Sequence, residues 1–259
     1  TLTLVHARFS TNTLGAWHLA HPYRRIIHNG EINTIRGNIN WMRARESRLE
    51  HEDFGDDMET LKPVTEAGQS DTASVDNAIE LLMHSDRELP HILRMLIPEA
   101  HENDDSMDPD RQDFYDYHAS LIEPWDGPAL VAATDGDKMA AVLDRNGLRP
   151  CRYDITEDNT LIAASEVGAI ETDPSEIKER GRLQPGEIFV ADPEKGEVTP
   201  DAEVFDELTD DKYGEWVDDH QQHLDDIAGD SLNPHGDVSS LRRSEERRVG
   251  KECRSRWSP

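Results

Sequence analysis

The sequence is poor in cysteine, in lysine and in aromatic residues, and each shortage excludes a class of protein. Two cysteines among 259 residues exclude a disulfide framework and favour a reducing compartment. Lysine and arginine together number 27, of which six are lysine, against 55 aspartates and glutamates. The formal net charge of −28 excludes a general nucleic-acid binder, which needs a basic surface. The aromatic residues, 6% of the chain, show no pattern suited to stacking on bases.

Long apolar runs are also missing. No stretch approaches the roughly 20 consecutive apolar residues that span a membrane. The N-terminus lacks the basic and then apolar layout of a signal peptide. Hydrophobic residues still make up 35% of the chain, enough for a buried core. We therefore expect a cytoplasmic protein whose partners include neither a membrane nor a nucleic acid.

The negative charge is distributed unevenly along the chain. Many carboxylates with few lysines are typical of halophilic proteins, because a Debye length of about 3 Å at 1 M salt screens the self-repulsion. Residues 1–49, in contrast, contain seven arginines and only two acids, Glu31 and Glu46. A basic segment in such an acidic chain indicates that it faces something other than bulk solvent.

Both ends of the chain have unusual sequences. The chain opens on an apolar, strand-like pattern without an initiator methionine, so we expect further residues upstream. Residues 243–259, RSEERRVGKECRSRWSP, carry six basic and three acidic groups and resemble the translation of a sequencing adapter. We expect this tail, including Cys253, to be non-native and to lack fixed packing.

The order of hydrophobic patterns predicts an α+β domain. Alternation at Leu2, Leu4 and His6 predicts a strand to about residue 9, and residues 25–28 predict a second one. Helical stripes follow between residues 35 and 121, interrupted by an acidic, irregular stretch at 50–69. Residues 129–144 predict a hairpin with an Asp-Gly turn, and further strands follow near 151–155, 161–165 and 187–192. This sequence of elements favours a layered α/β/β/α arrangement.

Two short segments combine an anion anchor with a backbone that a ligand can approach. In HARFSTNT (6–13), Arg8 can donate two parallel hydrogen bonds to a carboxylate. In HNGEIN (28–33), the Asn29 side-chain amide and the backbone at Gly30 can form an oxyanion hole. The alternative for each segment alone is structural: Arg8 as a surface charge, and Asn29-Gly30 as a hairpin turn.

Taken together, these segments resemble the class II glutamine amidotransferase domain of glutamate synthases. The resemblance runs from residue 1 to about 200 and includes HNGEINTIRGNINWMRARE, QSDTASVDN (69–77), EPWDGPALVAATDG (123–136), DRNGLRPCRY (144–153) and ASEVG (164–168). It implies an N-terminal-nucleophile hydrolase fold, a four-layer α/β/β/α sandwich that is incomplete here at its N-terminus.

The resemblance also assigns site residues. Arg8 corresponds to the arginine that binds the α-carboxylate of glutamine, and Thr11 to a hydroxyl lining that pocket. Asn29 and Gly30 correspond to the oxyanion-hole pair, and Asp71 to the acid that binds the α-ammonium group. Asp71 can equally serve, with its neighbour Ser70, as a helix N-cap.

The nucleophile of the family is an N-terminal cysteine whose own amino group acts as the base. No cysteine lies near Thr1, so we expect this chain to be inactive as it stands. Cys151 is internal and is interpreted as an ordinary packed thiol, although the arginines beside it could lower its pKa. Arg149 and Glu166 fall in family motifs and are interpreted as structural supports.

One further cluster, His220 and His223 among aspartates, could be offered as a metal site. Because it lies in an acidic, weakly helical run, a solvated face is the favoured interpretation, and no metal is expected.

The function implied by the resemblance is hydrolysis of L-glutamine to glutamate and ammonia, for reductive transfer to 2-oxoglutarate. The alternatives are another class II amidotransferase, of the sugar-phosphate or phosphoribosyl type, and a non-catalytic acidic module that has lost its nucleophile. Residues 1–200 are assigned to the amidotransferase domain and residues 201–242 to an acidic segment leading to synthase domains. By resemblance, those domains hold FMN and an iron–sulfur cluster, this chain holds no cofactor, and an electron-donor subunit or ferredoxin is a partner.

Overall fold

The computed structural model describes residues 1–7, 15–102 and 104–222. Arg8, Thr11, His223 and the tail at 243–259 lie outside the described residues, so the predictions made for them stay predictions. The chain divides into two units, Thr1–Val217 and Asp218–Pro259. The fold is that of the first unit.

A five-stranded antiparallel sheet forms the centre of the fold. Its strands, in spatial order, are β1 (Ile26–Gly30), β2 (Ala129–Thr134), β3 (Met139–Leu143), β7 (Ile188–Asp192) and β8 (Glu197–Pro200). The middle strands are rich in Ala, Val, Leu and Ile and are buried on both faces. Such strands require a covering layer on each side of the sheet.

A three-stranded antiparallel sheet covers one face. It contains β5 (Leu161–Ala164), β4 (Arg152–Thr156) and β6 (Ile177–Arg182) in that order. Tyr153, Leu161 and Ala163 of this small sheet pack against Leu143 and Phe189 of the large one. The two sheets thus form the β/β interior of the predicted sandwich.

Helices cover the other face of the large sheet. They are α1 (Ile35–Glu46), α2 (Asp71–Leu82), α3 (Leu89–Leu96), α4 (Pro109–Leu121), α5 (Asp201–Leu208) and α6 (Asp211–His220). Ile79, Ile92 and Phe114 from three of the helices pack with Val131 and Val142 of the sheet. This is the α+β class predicted from the sequence, with one helical and two sheet layers in the part of the chain that is described. None of its helices is long and apolar enough to cross a membrane.

The first predicted strand is wrong as far as residues 1–6, which form no regular secondary structure. The physical reason lies at the outer edge of β1. There the His28 carbonyl accepts a hydrogen bond from His6 Nε2 at 3.1 Å, and the His28 N–H donates to His21 Nδ1 at 3.4 Å. Because the N–H and C=O of His28 are already bonded to the two imidazoles, residues 1–6 do not form strand hydrogen bonds with them.

Two other local expectations need correction. Asn29 and Gly30 are not a hairpin turn but the last two residues of β1, opposite Leu130 and Ala129. The stretch expected to be irregular contains a 3-10 helix at Gly55–Leu61, which buries Met58. Local composition favoured a turn and a loop at these places, but pairing with β2 and burial of one apolar side chain decided otherwise.

Candidate functional site

The end of β1 crosses the 125–128 segment at very short range. A Cβ on Gly30, whose φ is +153°, would lie 1.7 Å from the Pro128 carbonyl oxygen. A Cβ on Gly127, at φ +155°, would lie 1.9 Å from the Glu31 carbonyl oxygen. The Glu31 N–H donates to the Pro128 oxygen at 2.9 Å. Only glycine at both positions permits this crossing, which explains the HNG and WDGP motifs in physical terms.

The crossing leaves the Gly30 amide on the open edge of β1. In a strand, the backbone groups of residues i and i+2 point to the same edge. The N–H and C=O of His28 point to the outer edge, where they bond to the two imidazoles, so the Gly30 N–H points there as well. Side chains alternate between faces, so Asn29 lies on the opposite face from His28.

Asp71 joins this strand end to the start of α2. Its Oδ2 accepts a hydrogen bond from the Ile32 N–H at 2.8 Å, and its Oδ1 accepts one from the Thr72 N–H at 2.8 Å. The N-cap of α2 is Ser70, whose Oγ accepts from the Ala73 N–H at 3.1 Å. Asp71 is therefore not the cap. Because a carboxylate accepts about four hydrogen bonds, capacity remains for a cation.

His28 lies beneath the strand end, and the sequence analysis assigned it no role. The side chain is 4% exposed, and its Nδ1 is 2.9 Å from Thr72 Oγ1, whose hydroxyl faces Asp71. Its Nε2 has no hydrogen-bond partner among the described atoms and lies 2.9 Å from where a Gly30 Cβ would be. The only signal in the sequence was its place in a strand, two residues after the buried Ile26.

Two histidines at the site, His21 and His28, are held neutral. Burial lowers the pKa of His28 to about 4, and the positive charges of His6 and Arg149 act in the same direction against Asp71. Burial and the neighbouring His6 likewise lower the pKa of His21 to about 4. His21 also stacks on His6, with ring centroids 4.1 Å apart. At neutral pH, His21 and His28 therefore add no positive charge to the strand end.

Of the five predicted site residues, the structure describes three. Asp71 bonds to the Ile32 N–H, two residues after Gly30, although it is separated from the strand that bears Asn29 and Gly30 by some 40 positions along the chain. Arg8 and Thr11 lie outside the described residues. The segment leading to Arg8 does run beside β1, because His6 bonds to the His28 carbonyl.

The residues interpreted as supports lie on other elements. The Asp144 carboxylate accepts hydrogen bonds from the N–H groups of Asn146 and Leu148, which shapes the turn before Arg149. Cys151 is 2% exposed, and burial raises the pKa of its thiol to about 12. A thiol of that kind is not a nucleophile at neutral pH, as the sequence analysis expected.

Metal ligands were sought in the same part of the chain. Among the described residues, no group of three or more His, Cys, Asp or Glu side chains could hold a metal ion. His220 ends α6, but its proposed partner His223 lies outside the described residues.

Comparison with known proteins places these observations in a family context. The family of class-II glutamine amidotransferases matches residues 1–216. The chain is 46% identical over 215 residues to the glutamate synthase [NADPH] large chain of Bacillus subtilis, covering 83% of this chain and 14% of that protein. It is 50% identical over 198 residues to the glutamate synthase [NADH] of Saccharomyces cerevisiae, covering 76% of this chain and 9% of that protein. It is 44% identical over 225 residues to the ferredoxin-dependent glutamate synthase of Pyropia yezoensis, covering 86% of this chain and 15% of that protein. The chain thus spans less than a sixth of the length of these relatives.

Proposed function

We propose that this chain, which belongs to the class-II glutamine amidotransferase family, is the glutaminase domain of a glutamate synthase. It hydrolyses the side-chain amide of L-glutamine to glutamate and ammonia, and the ammonia passes to a synthase domain for reductive transfer to 2-oxoglutarate. The observation that carries the proposal is the hydrogen bond from the Ile32 N–H to Asp71, which joins the acid on α2 to the strand end that bears Asn29 and Gly30.

Each site residue then has a chemical task. The Asn29 amide and the Gly30 N–H donate hydrogen bonds to the oxyanion that forms when the glutamine amide is attacked. Asp71 accepts two backbone hydrogen bonds, and the remaining lone pairs of its carboxylate bind the α-ammonium group. Arg8 binds the α-carboxylate with its guanidinium fork, and Thr11 lines the same pocket. The head group thus has one partner of each charge, at a distance from the reacting carbon.

The neutral histidines support this division of tasks. A protonated imidazole beside Asp71 would compete with the substrate ammonium for the carboxylate. Because burial keeps His28 uncharged, no imidazolium at this position competes with the ligand for the Asp71 carboxylate.

The 259 residues by themselves are proposed to release no ammonia. The family nucleophile is a cysteine at the N-terminus, and position 1 is Thr1. Cys151 cannot replace that cysteine because its thiol is buried and its pKa is raised.

The comparisons bear on one of the two alternatives. The relatives described above are all named glutamate synthases, which favours this enzyme over sugar-phosphate or phosphoribosyl amidotransferases. A non-catalytic module that kept the scaffold would keep the same paired glycines, so the upstream reading frame separates it from the enzyme: a cysteine at a processed N-terminus there supports the enzyme.

The cofactors of the synthase reaction are proposed to lie outside this chain. An iron–sulfur cluster held by cysteines takes three or four of them, and the chain has two cysteines, one of which, Cys151, is a buried free thiol. FMN is assigned to the same outside region by resemblance. The named relatives differ in electron donor, so an electron-donor subunit and ferredoxin both stay as candidate partners. A cytoplasmic location stays a prediction from the low cysteine content.

The assignment of domains also stays a proposal. Residues 201–242 are proposed to lead from the amidotransferase domain toward the synthase domains, with residues 243–259 as a non-native tail. The start of this segment already belongs to the folded unit, because Val204 and Phe205 of α5 are buried in the main core.

The test uses the complete polypeptide that contains this chain. We expect Asp71→Asn to raise the KM for glutamine roughly 10- to 100-fold, because it removes a charged hydrogen bond worth about 1.5–3 kcal/mol. The remaining amide oxygen of that variant can still accept from Ile32. We expect Asn29→Ala instead to lower kcat by about 10²–10³ through loss of an oxyanion donor.

The matched control is Asp86→Asn, which removes the same charge at an exposed position just after α2. Ammonia release from glutamine is the readout for all three variants. An Asp71→Asn enzyme with the KM of the control would contradict the proposed binding role.

A further inference from the structure

The outward face of α1 differs in charge from the rest of the molecule. Its exposed residues include Arg36, Asn40, Trp41 and Arg43, and the exposed Arg48 follows the helix end. This face carries no acid, in a chain with 55 aspartates and glutamates. The one acid of the helix, Glu46, is turned toward the fold, where its carboxylate accepts the Val64 N–H at 2.8 Å.

Trp41 makes this face suitable for contact with another surface. Its side chain is 58% exposed, which is unusual for the largest apolar residue. Gly37 and Ala44 lie one turn to either side, and a Cβ added at Gly37 would meet nothing within 4 Å. The indole therefore stands on a flat, open strip of small residues, with the Arg45 guanidinium 5.7 Å from its ring centroid.

The arginines on the face lack acidic partners. Arg36, Arg43 and Arg48 form no ion pair with any described residue, whereas Arg45 beside them bonds to Glu123 at 2.6 Å. Tryptophan and arginine are the residue types most enriched at the energetic centres of protein interfaces. Unpaired arginines around an exposed tryptophan thus have the composition of a docking site.

We propose that the outward face of α1 docks an acidic surface on the synthase part of the same polypeptide. The proposal rests on the proposed function, because it assumes that this chain is joined to synthase domains. The relatives supply the length for such a partner, since the matched region is between 9% and 16% of each. An acidic partner is favoured by charge complementarity with three unpaired arginines.

The position of α1 links this contact to the chemistry. The helix begins at Ile35, five residues after Gly30, so a domain docked on α1 lies next to the strand end where the amide is cleaved. Ammonia released there enters a space already bordered by the domain that uses it. Docking on this face therefore shields the product from bulk water.

A second copy of this chain fits the face less well. Two copies meeting through the same face would place arginine against arginine. A basic face meeting an acidic face elsewhere on the next copy would build a ring or an open filament rather than a two-fold dimer. A nucleic acid is opposed by the net charge of −28.

The first experiment measures the accessibility of Trp41 by hydroxyl-radical footprinting. We compare the 259-residue chain with the complete polypeptide, and use Ile170, 59% exposed on a loop after β5, as the internal reference. We expect Trp41 to be oxidised about fivefold more slowly in the complete polypeptide, because a docked surface excludes solvent. Equal rates in the two proteins would overturn the proposal.

A charge-reversal variant then tests the nature of the partner. Arg36→Glu with Arg43→Glu in the complete polypeptide should return Trp41 oxidation to the rate of the 259-residue chain. It should also release free ammonia during glutamate synthesis. The matched control, Lys178→Glu with Arg182→Glu, makes the same charge change on exposed positions of β6 and should do neither. Unchanged protection in the α1 variant would overturn the acidic partner.

Two further outcomes separate the remaining possibilities. Sedimentation of the 259-residue chain as a dimer that Arg43→Glu dissociates would overturn the proposal in favour of a second copy. Absence of glutamine hydrolysis by the unaltered complete polypeptide would contradict the proposed function alone, because the footprint of Trp41 does not depend on activity.

Discussion

Glycine and histidine act together at the end of β1, where single atoms decide the geometry. The missing Cβ of Gly30 lets the Pro128 carbonyl approach, and the same missing atom makes room for the buried ring of His28. His28 in turn contacts Thr72, next to Asp71. A site residue on a strand is thus positioned by a neighbour that never faces solvent.

A pair of glycine substitutions tests this geometry. Gly30→Ala places a Cβ 1.7 Å from the Pro128 oxygen, so β1 and the 125–128 segment must separate. We expect a loss of roughly 2–4 kcal/mol in the free energy of unfolding, typical of overpacking combined with backbone strain. Urea unfolding of the 259-residue chain measures it.

The control is Gly37→Ala in the first turn of α1, where the new Cβ meets nothing within 4 Å. Alanine there should stabilise the helix by about 0.5–1 kcal/mol. Equal effects of the two alanines would show that the close approach at Gly30 has no energetic consequence.

At the scale of elements, a histidine pair joins α3 to α4. His118 Nδ1 donates to the Phe114 carbonyl at 2.6 Å, so its Nε2 is free to accept. His91 Nε2 lies 2.8 Å from that atom and donates to it. Burial lowers the pKa of His91 to about 3 and that of His118 to about 4, and the nearby positive charge of Arg87 adds to both effects. The contact requires a neutral His118, because a proton on its Nε2 would remove the acceptor.

This pair predicts a defined acid lability. The unfolded chain protonates both rings near pH 6.5, while the folded chain protonates them only near pH 3–4. The unfolded state therefore binds more protons between these values, and the stability falls as the pH falls from about 6.5 to 4.

His91→Gln removes one titrating ring and keeps a side-chain donor for His118. We expect the free energy of unfolding of this variant to depend less steeply on pH across that window, because its unfolding takes up as much as one proton fewer. Guanidinium unfolding at a series of pH values measures the slope. A slope identical to that of the unaltered chain would contradict the assignment of His91.

The whole molecule combines a buried ionic network with a strongly acidic surface. Arg94 is fully buried, donates to the Gly186 carbonyl at 2.6 Å and bonds to the Tyr115 hydroxyl. Arg111 joins the network by binding Glu99, and it bonds to Asp201 of α5 at 2.7 Å. Arg94 is shielded from solvent ions, and Glu99, Arg111 and Asp201 are partly shielded, with 15–19% of each side chain exposed. The exposed carboxylates of the described surface have no such shielding. Salt therefore acts on the surface and leaves the network largely unchanged.

The charge balance predicts stabilisation by salt. Repulsion among surface carboxylates opposes folding, and the Debye length shrinks from about 30 Å at 0.01 M to about 3 Å at 1 M. We expect the thermal midpoint of the 259-residue chain to rise with KCl, mostly below about 0.5 M, where screening changes fastest. Differential scanning fluorimetry over a KCl series checks this. A midpoint that is independent of salt would contradict the halophilic interpretation of the composition.

The sequence by itself determined the class of the fold and the residue types of the candidate site. Hydrophobic period, turn residues and the Ser70 cap depend on neighbours within a few positions, so a linear pattern contains them. The HNGEIN segment likewise shows the Asn29 amide donor and Gly30 in the sequence, because the two residues are adjacent. Only the tertiary structure decided that Asp71 bonds to Ile32 and that His28 is buried beneath the strand end. It also decided that Arg45 of α1 pairs with Glu123, while Arg36 and Arg43 have no ion pair among the described residues. Those facts depend on contacts between residues far apart in the chain, which periodicity does not encode.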